Sequence, residues 1–395
     1  MTLVGVLGGG QLGRMLALAG YPLGLRFRFL DPAPDAPAGH LADHAAIDYA
    51  EEDGLKRFAA GLTAITYEFE NVPVAAARLL ERHAPVYPPP AALEVAQDRL
   101  AEKTFFQRLG AATPPFAPVD SPSDLAAAVE RIGLPAVLKT RRLGYDGKGQ
   151  RVLREAADVA PAWAALGGAP LILEGFIPFE REVSIVAARG RAGQSAFYPL
   201  VENHHRDGML RLSLAPAPGL TPTLQAAAEQ IAGRAMQALD YVGVLAIELF
   251  QVKGLGTWDL GLEHTQAPSP KPQAPPLLVN EMAPRVHNSG HWTIEGAETS
   301  QFEQHLRAIL GLPLGPTAPR GHSAMVNLIG ALPDPAAILA VPGAHLHLYG
   351  KAPRAGRKLG HVTVRVDTRG ELEERLAQVQ DLIATKEYSW VMPPV

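Results

Sequence analysis

Short apolar runs alternate with amphipathic stretches over the first ninety residues, and this alternation constrains the chain more than any other feature. Residues 3–7 read as a buried strand, 11–19 as a helix, 25–30 as a second strand, 64–67 as a later strand and 74–83 as the helix that follows. Strands separated by helices pair in parallel, because a parallel pair needs a long crossover connection. Three consecutive prolines, Pro88, Pro89 and Pro90, stop the pattern and mark a candidate boundary. Beyond them, helices are expected over 92–109 and 125–132, each closed by a glycine. From about residue 134 strands dominate: 136–139, 171–174, 182–188 and 195–199, then a helix over 224–239 and strands over 242–251 and 277–281. The low-complexity stretch 267–276 is too rich in proline for regular structure, so it is expected to be the exposed tip of a hairpin. A helix over 301–310, strands over 324–329, 345–349 and 361–366, and a helix over 371–384 complete the expectation.

A chain of 395 residues can bury two or three cores. Its net charge of −4 gives no electrostatic footprint for nucleic acid or an anionic membrane surface. No cysteine is present, which removes disulfides, thiolate nucleophiles and cysteine metal sites together. The N-terminus runs straight into a strand pattern without a basic segment and apolar core, and no apolar stretch approaches the length of a membrane span. A cytoplasmic protein is expected.

Several segments carry groups suited to nucleotide chemistry. Gly144-Tyr145-Asp146-Gly147-Lys148-Gly149-Gln150 follows an apolar run ending in Lys139. Its three glycines allow backbone N–H groups to approach an anion closely, and the two lysines add positive charge. A solvated turn has the same composition. Gly8-Gly9-Gly10-Gln11-Leu12-Gly13 opens a helix after a strand, with Asp31 at the end of the next strand. This fits both an anion site at a helix N-terminus and a dinucleotide fingerprint, so a nicotinamide or flavin oxidoreductase is a rival reading. Glu248 lies within an apolar strand, and Asn280 and Glu281 end another. Joined as a hairpin, the two strands would set the glutamates side by side. Two such carboxylates need either a cation between them, Mg²⁺ by preference, or arginine partners such as Arg285. The polar segment from Arg285 through His287, Asn288 and Ser289 to Trp292 has no zinc spacing and suits a substrate loop. Lys351, Arg354, Arg357 and Lys358 form a small basic cluster, either a phosphate pocket or a solvated loop.

Six ordered motifs carry a resemblance that covers nearly the whole chain: GGGQLGRM from Gly8, YEFENVP from Tyr67, DRLAEK from Asp98, GYDGKGQ from Gly144, NEMAPRVHNSGHW from Asn280 and GRKLGH from Gly356. The chain resembles the N5-carboxyaminoimidazole ribonucleotide synthetases, ATP-grasp enzymes of purine synthesis. The resemblance implies an α/β protein with the ATP-grasp fold. An N-terminal Rossmann-like pre-ATP-grasp domain would span 1–97. ATP-grasp lobes would span 98–312, the small lobe about 98–175 and the large about 176–312. A small C-terminal domain would span 313–395. It implies a ligase joining 5-aminoimidazole ribonucleotide and bicarbonate at the expense of ATP with Mg²⁺, as a homodimer. The nearest alternative is another ATP-grasp ligase, the formate-dependent glycinamide ribonucleotide transformylase.

Carried over by position, Arg99 and Lys139 would contact the ATP phosphates, and the loop from Gly144 to Gln150 would cover them. Glu174, Gly175, Phe176 and Ile177 would hold adenine, Glu182 the ribose, and His205 would stand at the nucleotide. Glu248 and Glu281 would bind Mg²⁺ with Asn280 beside them. Gln11, Leu12, Glu70, the segment from Arg285 to Ser289 and the basic group Lys351, Arg354, Arg357 and Lys358 would bind the ribonucleotide. Tyr145, Asp146, Lys148, Arg285 and Lys351 would act at the reacting atoms. In this chain the segment between Glu248 and Asn280 is longer and richer in proline than the family's short hairpin.

Overall fold

The computed structural model describes residues 2–144, 148–253 and 277–383. The expected tip at 267–276 and the loop residues Tyr145, Asp146 and Gly147 lie outside them. The first sheet contains β1 (Leu3–Leu7), β2 (Arg26–Leu30), β3 (Asp43–Ala45) and β4 (Ala64–Tyr67), in the order β3-β2-β1-β4. Every pairing in it is parallel, as the alternation requires. The second sheet contains β5 (Phe116–Val119), β6 (Ala136–Thr140), β7 (Gln150–Leu153) and β8 (Leu171–Gly175), all antiparallel, and packs over its own core around Leu125, Leu138 and Leu173.

The third sheet is the largest. Its strands are β9 (Arg181–Arg189), β10 (Ser195–Phe197), β11 (Val201–Arg206), β12 (Met209–Ala215), β13 (Gly243–Gln251), β14 (Leu277–Ala283), β15 (His322–Ile329), β16 (Ala344–Leu348) and β17 (Lys358–Val366). Their order is β14-β13-β9-β11-β12-β15-β17-β16, with β10 on β9. β12 pairs directly with β15, so the strands near the C-terminus extend this sheet rather than form another. One face packs on the helix Pro222–Ala238. On the other face, Val186, Val244 and Trp292 share a core with Val4, Met15 and Leu16 of the N-terminal domain. The parallel domain is thereby fixed against the large sheet.

Some expectations need correction. The helix expected over 92–109 is two helices, Pro90–Ala96 and Arg99–Arg108. Asp98 breaks it: its carboxylate accepts hydrogen bonds from the Leu100 and Ala101 N–H groups and so caps the second helix. β3, β5, β7, β11, β12 and the helices Glu52–Ala59 and Val159–Leu166 are not among the expected elements. The helix expected over 371–384 begins earlier, at Arg369, and is described to Ile383; Ala384 lies outside the described residues.

Candidate functional site

The glycine motif near the N-terminus does not present a free anion site. Asp31 Oδ2 accepts from the Gly9 N–H at 2.7 Å. Glu68, just beyond β4, accepts from the N–H groups of Gly10 at 2.8 Å and of Leu12 and Gly13 at 3.1 Å each. The chain's own carboxylates therefore cap the first turn of the helix Gln11–Gly20, where a dinucleotide phosphate would sit. The oxidoreductase reading loses its anion site, and the backbone N–H of Leu12 is already engaged. The Gln11 side chain remains at the surface of this end and pairs with Lys351.

The expected hairpin geometry is present at the other end of the site. β13 and β14 pair antiparallel with Glu248 directly opposite Glu281, beside a bulge. Side chains of directly paired residues lie on one face, so the two carboxylates are neighbours. Burial and the charge of Glu281 push the Glu248 carboxyl up to about 7. Burial would also raise Glu281, but Arg99, Lys139 and Lys103 hold it at about 2. Arg99 Nη1 lies 2.9 Å from Glu281, which keeps 40% of its side-chain surface open to the cleft. The adjacent Asn280 has a buried Oδ1 without a partner. Two carboxylate groups and one orphaned amide oxygen form an all-oxygen donor set that fits Mg²⁺. Among the described residues no three His, Asp or Glu side chains gather as a metal cage. A cation held here would keep positions for phosphate oxygens and water, the usual arrangement for Mg²⁺ at a nucleotide.

The facing lobe supplies cations. Lys139 on β6 lies 2.9 Å from Glu174 on β8, and the fully buried Lys103 lies 3.4 Å from the same oxygen. Burial would raise the Glu174 carboxyl, yet Lys103, Lys139 and Arg99 hold it near 2. Its side chain is thus committed to fixing two lysines. The backbone of Gly175, the exposed Phe176 and the buried Ile177 follow as the strand exits. Phe179 stacks on Phe250 with centroids 4.8 Å apart and is 40% exposed, an aromatic surface at that exit which the sequence reading missed. Lys103 was missed as well. Its spacing of four from Arg99 on one helix is the signal that could have found it. Glu102, also missed, accepts from the Met282 N–H at 2.6 Å, and burial with the Glu281 charge pushes it up to about 8.

The glycine loop begins beside these groups. The Gly144 carbonyl accepts from Arg99 Nη2 at 3.5 Å, and the Gly149 carbonyl accepts from the Thr140 N–H at 2.8 Å. Gly149 has φ +73°, a conformation that L side chains rarely adopt. Lys148 is exposed, and Gln150 opens β7.

Glu182 on β9 and His205 on β11 form an ion pair. Burial alone would lower the His205 imidazole, but Glu182, with Glu248 and Glu281 nearby, raises it. Glu70 and Arg285 form a second pair. His287 Nε2 lies 3.4 Å from Glu248, and burial, with the Arg285 charge, pushes its imidazole down to about 3. The Asn288 amide is buried with both polar atoms unpartnered, an arrangement that calls for a ligand. Burial lowers Lys351, and the Glu68 charge opposes that shift. Arg357 donates to the Ala352 carbonyl at 3.3 Å and through its backbone N–H to the Arg354 carbonyl at 3.0 Å, Lys358 opens β17, and Arg354 is exposed.

Comparison with known proteins gives these groups a lineage. Residues 1–97 match the ribonucleotide synthetase preATP-grasp domain, 104–302 the ATP-grasp domain, and 323–375 the phosphoribosylaminoimidazole carboxylase C-terminal domain. The chain is 54% identical over 380 residues to the N5-carboxyaminoimidazole ribonucleotide synthase of Pseudomonas aeruginosa, covering 96% of this chain and 99% of that one. The crystal structure of N5-carboxyaminoimidazole ribonucleotide synthetase from Thermus thermophilus superposes with a TM-score of 0.88 at 62% identity, covering 97% of this chain and 99% of that one. The N5-carboxyaminoimidazole synthase of Aspergillus clavatus, solved with ADP and 5-aminoimidazole ribonucleotide, gives 0.85 at 30% identity, with 97% and 98% covered. With its ATP-grasp lobes, its preATP-grasp domain and these relatives along nearly its full length, the chain belongs to the N5-carboxyaminoimidazole ribonucleotide synthase family.

Proposed function

We propose that the chain performs its family's reaction in the cleft between the β6–β8 sheet and the β13–β14 pair. It is an ATP-grasp ligase, and it joins 5-aminoimidazole ribonucleotide to bicarbonate while ATP is hydrolysed to ADP and phosphate. The observation that carries this reading is the Glu248–Glu281 pair, set across from Arg99, Lys103 and Lys139. The relatives reported above favour it over the formate-dependent transformylase.

In this reading Glu248 and Glu281, with Asn280 beside them, hold Mg²⁺. When bound, the ion supplies the positive charge that neutralises the phosphates during transfer. Arg99 and Lys139 bind phosphate oxygens, while Lys103 stays behind them and keeps Glu174 ionised. The loop from Gly144 to Gln150 covers the phosphates and excludes water from a labile acyl phosphate, with Tyr145, Asp146 and Lys148 nearest the reacting atoms. The strand exit from Glu174 to Ile177 offers backbone groups and aromatic surface to adenine, and Glu182 with His205 meets the ribose. Gln11, Leu12, Glu70, Arg285, His287, Asn288 and Ser289 line the ribonucleotide end. Lys351, Arg354, Arg357 and Lys358 take its phosphate. The neutral His287 serves as a hydrogen-bond donor rather than as a cation. Division into 1–97, 98–312 and 313–395, assembly as a homodimer and residence in the cytoplasm belong to the same proposal. Among the described residues no helix is long and apolar enough to cross a membrane.

The test is ADP release from Mg·ATP with ribonucleotide and bicarbonate supplied separately and together. Release that requires the ribonucleotide, with labelled bicarbonate carbon in the product, supports the reading. Release only with glycinamide ribonucleotide and formate would replace it by the transformylase.

A further inference from the structure

A row of polar side chains crosses the cleft face of the large sheet. Glu281 on β14 is opposite Glu248 on β13, and Glu248 is opposite Ser184 on β9. Asn203 on β11 is opposite Ser213 on β12 and is two residues from Val201, the partner of Ser184. Ser184, Asn203, Ser213 and Ser289 are all at most 5% exposed. The proposed roles of Glu248 and Glu281 explain their end of the row. Nothing in the proposed reaction requires Ser184, Asn203 or Ser213.

These side chains form one hydrogen-bonded chain. Ser213 Oγ lies 2.8 Å from Asn203 Oδ1, Asn203 Nδ2 2.9 Å from Ser184 Oγ, and Ser184 Oγ 2.8 Å from Ser289 Oγ. Ser289 Oγ in turn lies 2.9 Å from His287 Nδ1. Hydroxyl protons can turn either way, so these distances alone leave the direction open. A fifth contact settles it. The backbone N–H of Ser289 points at the same His287 Nδ1, at 3.3 Å, and a backbone N–H can only donate. His287 Nδ1 is therefore an acceptor. The Ser289 hydroxyl donates to it as well and must accept from Ser184. The Ser184 hydroxyl, its proton committed, must accept from the Asn203 amide N–H. Asn203 Oδ1 is then left to accept from Ser213.

We infer that Ser184, Asn203 and Ser213 are positioning residues that act through Ser289 to hold His287 in one tautomer and one orientation, with its N–H at Nε2, the ring atom 3.4 Å from Glu248. Because Nε2 carries the proton, His287 cannot ligate a cation through that atom. It sets the polarised N–H edge of the ring 3.4 Å from Glu248, the carboxylate proposed to hold the cation. The inference rests on the proposed reaction only for its consequence in catalysis. The tautomer itself is a property of the chain without substrates.

Protein labelled with ¹⁵N-histidine reports the tautomer directly, and the His287 signals are assigned by their loss in His287→Gln. The expected result is a single Nε2–H tautomer in the wild-type protein. A dominant Nδ1–H form there overturns the inference without recourse to any variant. Ser184→Ala cuts the chain. Without that donor the Ser289 hydroxyl can accept from His287 Nδ1 as readily as donate to it, and only the longer 3.3 Å contact from the Ser289 N–H still favours the tautomer. Ser184→Ala is therefore expected to give a mixture of His287 tautomers and to lower kcat/KM for the ribonucleotide about tenfold, with KM for ATP within about twofold. Ser184→Thr, which restores a hydroxyl, should recover the tautomer. A Ser184→Ala protein that keeps the wild-type tautomer refutes the relay, whether its activity is retained or lost. If the wild-type tautomer is as inferred but no ribonucleotide-dependent turnover exists, the proposed reaction has failed and the relay has not.

Discussion

Carboxylates are withdrawn from water at two places in this molecule, and the two places treat them oppositely. At the N-terminal loop, Glu68 receives three backbone N–H groups and Asp31 a fourth. At the β13–β14 pair, Glu248 and Glu281 face each other, and the Asn280 oxygen beside them is unpaired. The first arrangement is complete within the chain and closes a site that the glycine pattern advertises. The second is incomplete at Glu248: Arg99 holds Glu281, while burial and the Glu281 charge push Glu248 up to about 7, so that its ionisation calls for a cation from outside. A buried acid thus signals function when its hydrogen-bonding capacity is left unused, and structure when it is consumed.

The sharpest way to break this contrast is Glu281→Gln. Losing a cation ligand should remove several kcal/mol of charge stabilisation, lowering Mg²⁺-dependent ADP release by about 10³-fold or more while the fold persists. Undiminished release would make the pair structural like its N-terminal counterpart. Lys351→Ala probes the junction of the two regions, since Lys351 pairs with Gln11 and feels the Glu68 charge. Loss of a charged contact should cost about 1.5–3 kcal/mol, or roughly 10–100-fold in kcat/KM for the ribonucleotide, with ATP binding little changed. Equal losses for both substrates would remove Lys351 from the ribonucleotide pocket.

Stability measurements should separate the two regions by sign. Glu68→Ala leaves N–H groups of the first helical turn without acceptors, so denaturant unfolding should report a loss of about 2 kcal/mol. Glu248→Gln should do the reverse in metal-free protein and stabilise it by about 1 kcal/mol at pH 8. Burial and Glu281 raise the Glu248 carboxyl from 4.5 to about 7. The folded state therefore holds that proton longer than the unfolded chain does, and stability falls as pH rises from 4.5 to 7. The gain from Glu248→Gln should vanish below about pH 4.5 and be complete above pH 7. A loss at pH 8 would mean that the carboxylate is as well satisfied as Glu68.

Legibility in the sequence followed the range of the interactions. Glu248 and Glu281 stood out because acids inside apolar strands are locally anomalous, and their pairing followed from hairpin geometry alone. Glu68 did not stand out, because capping a helix fifty-five residues upstream leaves no local pattern. The apparent helix over 92–109 conceals a break because the side chain of Asp98 competes for its own backbone, which propensity does not weigh. Lys103 read as an ordinary helical lysine until β8 and β14 enclosed it between Glu174 and the Asn280 carbonyl.

By itself the sequence determined the parallel N-terminal sheet, the strand-rich texture after residue 134 and, through its motifs, the family. These rest on periods and spacings within a few residues of one another. Only the tertiary structure decided that the first glycine loop is filled by Glu68 and Asp31, that β15 and its neighbours extend the large sheet, and that Ser184, Asn203 and Ser213 reach His287 through Ser289. Those contacts join residues far apart in the chain. Their hydrogen bonds gain strength only where packing has removed the competing water, and no local pattern records that event.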